Sequence, residues 1–314
     1  MQKSNIASYL KTTFTGVPDD FEGKYVRGKV RDIFDLDSKL LVCTTDRISA
    51  FDVVLSTIPC KGEVLNRLSN YWFGLTSDIV PNHIDEEISA RSVLVKKCEV
   101  LPVEVVVRGY LTGSAWRDYQ DGKPVSGIEL EKGMRFNERF SKPLLTPSTK
   151  AERGFHDEPI ASEEIVKRGI IEEPLWRKVE ETAYALFERG SRLAAERGLI
   201  LVDTKYEFGV LDGELILVDE IHTPDSSRYW FSDTYEELFA AGDKQRKIDK
   251  EYLRQWLMEH GYMGEGNPPE IPDEVRIEVA WRYIQAYELM TGEQFQPSGK
   301  TAEAETALIR SYFT

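Results

Sequence analysis

Between residues 199 and 221 the chain reads LILVDTKYEFGVLDGELILVDEI, two runs of strand-forming residues joined through Asp212-Gly213. That pattern predicts a β-hairpin. In the first run Asp203, Lys205 and Glu207 are spaced by two, so an extended strand turns them to one face and Val202, Tyr206 and Phe208 to the other. In the second run Asp219 and Glu220 interrupt aliphatic residues that would otherwise be buried. A buried carboxylate without a partner is costly, so a cation is implied. Isolated charges on an exposed hairpin would be ordinary salt bridges, but the aliphatic flanks argue against full exposure. If Glu207 and Asp219 share one cation they must share a face. A three-residue loop containing Asp212-Gly213 achieves this and aligns Phe208 and Val210 with Ile216 and Val218, whereas a two-residue turn separates the carboxylates. A lysine and two carboxylates on one hairpin suit Mg²⁺ and a nucleotide polyphosphate, because magnesium takes oxygen ligands and shares them with phosphates.

The rest of the chain supplies a scaffold for such a site. At 314 residues it has room for about two domains. Forty Lys and Arg against 54 Asp and Glu give a net charge of −14, which disfavours general nucleic-acid binding while leaving room for a local cationic pocket. From Tyr25 to Val54 the chain alternates and breaks as an antiparallel β meander, with the runs YVRGKVRDIFDL, KLLVCTT and AFDVVLSTI. A helix follows, with Val64, Leu65, Leu68, Tyr71, Trp72 and Leu75 at helical spacing, and then two more β runs, SVLVKKCEV and LPVEVVVRG. Residues 120–160 show no clear period and read mostly as loop, a length that is usually functional. PLWRKVEETAYALFERGSRLAAERG is a strong amphipathic helix, with Pro174 in its first turn and Gly198 at its end. The last 80 or so residues read as helical. The order predicts an α+β protein of two lobes with a helical C-terminal region. Three unclustered cysteines, Cys43, Cys60 and Cys98, and no signal-like or membrane-spanning stretch point to a cytoplasmic protein away from membranes. A monomer is the working expectation.

Several motifs do not hold. GKYVRGKV at 23–30 has the spacing of a phosphate-binding P-loop but places Val30 where Ser or Thr belongs, and a strand follows instead of a helix. A backbone-plus-lysine phosphate cradle on a β-turn remains open there. Gly299-Lys300-Thr301 lacks the first glycine, with Gln294 in its place, and reads as a helix start. His83, His156, His222 and His260 are scattered and read as structural. Two segments suit anions. TPDSSR offers Asp225, hydroxyls and Arg228, and Arg108 precedes GYLTGS, where Ser114 could equally be a helix cap.

Taken together, GKVRD at 28–32, DRISAFD at 46–52, LPVEVVVRGYLTGSAW at 101–116, LTPSTKAE at 145–152, VDTKYEFG at 202–209 and DEIHTPDSSRYW at 219–230 resemble the SAICAR synthetase family, in its longer single-function form. The resemblance implies ligation of 5-aminoimidazole-4-carboxy ribonucleotide (CAIR) with L-aspartate in purine biosynthesis, with ATP going to ADP and phosphate. It implies a kinase-like two-lobed ATP-binding fold, divided as a β-rich lobe at 1–107, an α+β lobe at 108–232 and a helical region at 233–314 packed on the second lobe. On this sequence, Lys29 and Arg31 fall in a phosphate-covering turn, and Glu104, Val105 and Val107 in an adenine-binding hinge. Glu207 and Asp219 match Mg²⁺ ligands, with Lys205 beside the transferring phosphoryl group. Arg108, Ser114, Ser226 and Arg228 match positions holding CAIR, with Asp225 near its sugar and Lys150 and Asp157 in a central loop. A small-molecule kinase and a catalytically inactive nucleotide sensor are the competing readings.

Overall fold

The computed structural model describes residues 1–51, 53–150, 157–248 and 251–313. It is a mixed α and β structure whose named strand pairs are antiparallel. The chain forms two compact units, one of Met1–Tyr71, Ile84–Lys97 and Ile248–Thr314, the other of Trp72–His83 and Cys98–Lys247. This differs from the three consecutive segments expected, because the C-terminal residues group with the N-terminal ones.

In the first unit the strands are β1 (Tyr25–Arg27), β2 (Arg31–Asp35), β3 (Lys39–Thr44), β4 (Arg47–Ala50), β5 (Val53–Thr57), β6 (Ile84–Glu87) and β7 (Ser92–Lys96). Five make one sheet in the order β1-β2-β3-β7-β6, while β4 and β5 pair separately. The meander is therefore interrupted after β3. Phe34, Leu41, Cys43 and Leu94 from this sheet are buried with Ile309 of the C-terminal helix Ala302–Arg310. Polar anchors accompany that apolar contact. The Ser89 and Ser92 hydroxyls each donate to Glu305 at 2.6 Å, and the Met1 amino group reaches Glu288 at 2.6 Å. The Gly-Lys-Thr segment does start that helix, with the Thr301 side chain accepting from the Ala304 amide.

In the second unit the strands are β8 (Glu99–Tyr110), β9 (Arg139–Thr149), β10 (Glu158–Pro159), β11 (Leu199–Leu211), β12 (Glu214–Val218) and β13 (Ser227–Phe231). Their order is β10-β9-β8-β11-β13, with β12 on the outer half of β11. The amphipathic helix spans Glu173–Ala195 and packs Val179, Ala183, Leu186 and Phe187 into the core beside β11. One unpredicted strand is β9, which lies, like the short β10, in the stretch read as loop. Its two prolines, Pro143 and Pro147, hide the strand signal. They are tolerated because only the short β10 borders β9 on its outer side, where a missing N–H breaks no long ladder.

The hairpin corrects a second expectation. Leu211 pairs with Glu214, so the loop has two residues, Asp212 at φ 52° and Gly213 at φ 83°. Positive φ at both positions is the type I′ turn that Asp-Gly favours, because its twist matches that of the flanking strands. Glu207 therefore sits opposite Val218, and Phe208 opposite Leu217.

Candidate active site

Alternation along β8 and β11 builds one polar face. Leu101, Val103, Val105 and Val107 are buried, and the residues between them turn the other way. Direct cross-strand partners are Arg108 with Asp203, Val106 with Lys205, and Glu104 with Glu207. On the other side of β11, Asp203 pairs with Arg228 of β13.

Lys205 is the centre of the first cluster. Its ammonium lies 3.0 Å from Glu104, is hydrogen-bonded to Glu207 and is 3.7 Å from Asp219. Lys150 bonds the second oxygen of Glu207. Burial opposes the charge on Lys205, but Asp219, Glu207 and Glu104 outweigh it and raise its pKa, so it stays an ammonium. Burial likewise favours neutral Glu207, yet Lys205 and Lys150 hold it well below the usual carboxylate range. For Glu104 burial prevails and raises the pKa against Lys205, with Glu207 and Asp157 pushing the same way. Asp219 reaches this cluster despite the two-residue turn. Its own φ of 64° takes it out of the strand, swinging its carboxylate toward the lysine.

Arg108, Asp203 and Arg228 form the second cluster, a row across three neighbouring strands. Arg108 donates to Asp203 Oδ2 at 3.4 Å, to the Thr146 hydroxyl at 2.9 Å and to Ser114 at 3.2 Å. Arg228 Nε donates to Asp203 Oδ1 at 3.0 Å. Burial lowers the Arg108 pKa against the attraction of Asp203. Gly113, at φ 62°, is required here, since a Cβ would collide with the Arg228 guanidinium. Two planar cations fixed by one carboxylate make a receptor for a phosphate or carboxylate.

The chain matches the profile of the family described as SAICAR synthetase over residues 24–269. The chain belongs to the SAICAR synthetase family. It is 48% identical over 273 residues to the phosphoribosylaminoimidazole-succinocarboxamide synthase of Bacteroides thetaiotaomicron, covering 85% of this chain and 87% of that protein. The namesake from Azobacteroides pseudotrichonymphae is 47% identical, with 92% and 90% covered. Among solved structures, the SAICAR synthase of Saccharomyces cerevisiae complexed with SAICAR superposes with a TM-score of 0.80 at 36% identity, covering 91% of this chain and all of that one.

Against the family pattern, the structure brings Lys205, Glu207, Asp219 and Lys150 together, and separately Arg108, Ser114 and Arg228. Asp157 is exposed and close enough to act on Glu104. Lys29 is exposed in the turn between β1 and β2, and Arg31 opens β2. The hinge role implied for Glu104, Val105 and Val107 finds no open backbone edge. Their backbone is paired with β9 on one side and β11 on the other, leaving no free edge to read an adenine. Val105 and Val107 are core residues at 1% and 0% exposure, and Glu104 serves Lys205. Ser226 accepts from the Thr223 amide and so closes its own turn, while its carbonyl takes the Lys205 amide. Asp225 is half-buried in that turn, its amide bonded to the Thr223 hydroxyl. Ser114 is not a cap, because Thr112 holds the N-cap position of helix Gly113–Gln120. His222 is buried and structural, and His156 lies outside the described residues. The sequence reading missed Asp203 as the link between the two arginines. Its spacing was visible, but cross-strand neighbours are a property of register.

Proposed function

We propose that the polar face of β8, β11 and β13 carries the ATP-dependent ligation of CAIR with L-aspartate to give SAICAR, ADP and phosphate in purine biosynthesis. The observation that carries it is the pairing of two clusters on one face: a lysine among three carboxylates, and two arginines tied by Asp203. Glu207 and Asp219 would hold Mg²⁺. They supply hard oxygen donors, and among the described residues no group of three or more His, Cys, Asp or Glu forms a complete cage. Two carboxylates suit an ion that completes its shell with phosphate and water, and that would neutralise charge on the transferring phosphoryl group.

The chain's own groups do the remaining work. Lys205, kept charged by its carboxylates, stabilises the phosphoryl oxygens. The family resemblance gives Lys29, in the Gly28–Val30 turn of the other unit, a role in covering ATP phosphates. Arg108, Ser114 and Arg228 hold CAIR with its carboxylate toward the γ-phosphate, with Asp225 near the sugar. A CAIR carboxylate oxygen attacks the γ-phosphorus and ADP leaves. The aspartate amine then attacks the activated carbon, and phosphate departs with that oxygen. The kinase-like description of the fold belongs to this proposal and rests on the family resemblance. A nucleotide sensor would have no need of the lysine and both metal-type carboxylates together.

ADP release should require both CAIR and L-aspartate for full turnover, and ¹⁸O in the CAIR carboxylate should appear in the phosphate. Unlabelled phosphate would mean that aspartate is the acid activated. Phosphoryl transfer to CAIR with no need of an amine would instead favour a small-molecule kinase.

A further inference from the structure

The DRISAFD motif has no part in the site described above, yet its Arg47, together with Thr45 just before the motif, holds the turn proposed for the ATP phosphates. Gly28, Lys29 and Val30 connect β1 and β2, where Arg27 faces Asp32 and the Gly28 amide donates to the Arg31 carbonyl at 2.7 Å. Carbonyls at a hairpin tip ordinarily face water. Here one segment captures all three. Arg47 Nη2 donates to Gly28 O at 2.9 Å and Arg47 Nε to Lys29 O at 3.3 Å. The Thr45 amide and hydroxyl donate to Val30 O at 2.9 and 2.7 Å. The same guanidinium reaches Thr15 O at 2.5 Å and Asp32 Oδ1 at 2.7 Å. The side chains of Arg47 and Asp32 are 9% and 1% exposed, so the clamp is built into the protein and is not a surface contact.

Carbonyl oxygens repel phosphate oxygens, and a turn that covers a polyphosphate works only if its carbonyls point elsewhere. We propose that Arg47, assisted by Thr45, is a positioning residue for ATP: Arg47 draws the Gly28 and Lys29 carbonyls inward, Thr45 draws in that of Val30, and together they fix Lys29 for the phosphates. This rests on the reading of Gly28–Val30 as the phosphate-covering turn. Arginine is required because its planar fork serves four acceptors at once, which the point charge of lysine cannot do.

Four variants test it: Lys29→Gln, Arg47→Lys, Thr45→Val and the double variant Lys29→Gln/Arg47→Lys. Arg47→Lys keeps a cation beside Asp32, and Thr45→Val removes only a hydroxyl. Arg47→Lys should raise the ATP KM about tenfold and Thr45→Val about threefold, with the CAIR KM unchanged. In the Lys29→Gln background the Arg47→Lys effect should shrink to about threefold or less, because the charge being positioned is gone. A purely structural role would instead move both KM values or give fully additive effects, and either result overturns the proposal. Unchanged ATP KM in Lys29→Gln refutes the reading of the turn itself. A raised ATP KM in Lys29→Gln, with none in Arg47→Lys or Thr45→Val, refutes only the role of the clamp. If Arg47→Lys does not fold, Thr45→Val decides alone.

Discussion

Acid should weaken the second unit through His222, which lies on the far side of β11 from the polar face of Lys205 and Glu207. Its ring is fully buried, shares a 2.7 Å hydrogen bond with the Tyr206 hydroxyl and stands edge-on to Trp72 at 4.7 Å between centroids. Helix Glu173–Ala195 passes so close that a Cβ on Gly190 would overlap the ring. Burial pushes the imidazole pKa from its ordinary 6.5 down to about 3. The folded pKa is thus the lower one. Above pH 6.5 both states are neutral and the full stability is present. Below it the unfolded chain takes up a proton that the folded chain refuses, and stability falls until the folded pKa is reached. One proton costs about 1.4 kcal/mol per pH unit, so at pH 5 the loss is about 2 kcal/mol, a large share of the roughly 5–15 kcal/mol that holds a domain together. Glu207 does not confuse that window, because its depressed pKa acts only below the ordinary carboxylate value. Urea unfolding of the wild type and of His222→Gln at pH 7.5 and pH 5.0 measures the difference. The glutamine amide can still meet Tyr206 but cannot titrate. The variant should be less stable at pH 7.5 and should lack about 2 kcal/mol of the acid loss. Equal losses in both proteins would refute the assignment.

Two further outcomes concern the proposed site. Asp219→Asn should leave thermal unfolding nearly unchanged and lower turnover on the order of a hundredfold, with more magnesium needed for half-maximal rate, because an amide is a poorer ligand and carries no charge. Near-normal turnover at ordinary magnesium would remove Asp219 from the metal site. Arg228→Lys should raise the CAIR KM about tenfold or more with little change in the ATP KM, since the bond to Asp203 and the planar fork are lost together while the charge remains. Equal losses for both substrates would point to a structural role.

The polar cluster around Lys205 was legible in the sequence because it rests on residue types at short spacing. Lys205 and Glu207 share a face through the two-residue period of a strand, and Asp219 follows an aliphatic run that no unpartnered carboxylate would join. The helix at Glu173–Ala195 and the C-terminal helix start were readable for the same reason, since period and capping are local. Register was not. Asp212-Gly213 closes a two-residue turn, and Asp219, past the end of its strand at φ 64°, still comes within 3.7 Å of Lys205, a backbone state set by what surrounds it. The strand at Arg139–Thr149 was hidden because its prolines are acceptable only on the side of a sheet that short β10 borders, a position no local pattern records. Nor could spacing reveal that residues 104–107 lie between two partner strands, which leaves their backbone no open edge. Asp203 between two arginines joins residues 95 and 25 positions apart, and Arg47 reaches the carbonyls of Gly28 and Thr15 across 19 and 32 positions. Sequence determined which groups the protein has and which face of a strand each takes. Tertiary structure alone decided which of them meet, because cross-strand pairing and burial depend on segments that the chain brings together only on folding.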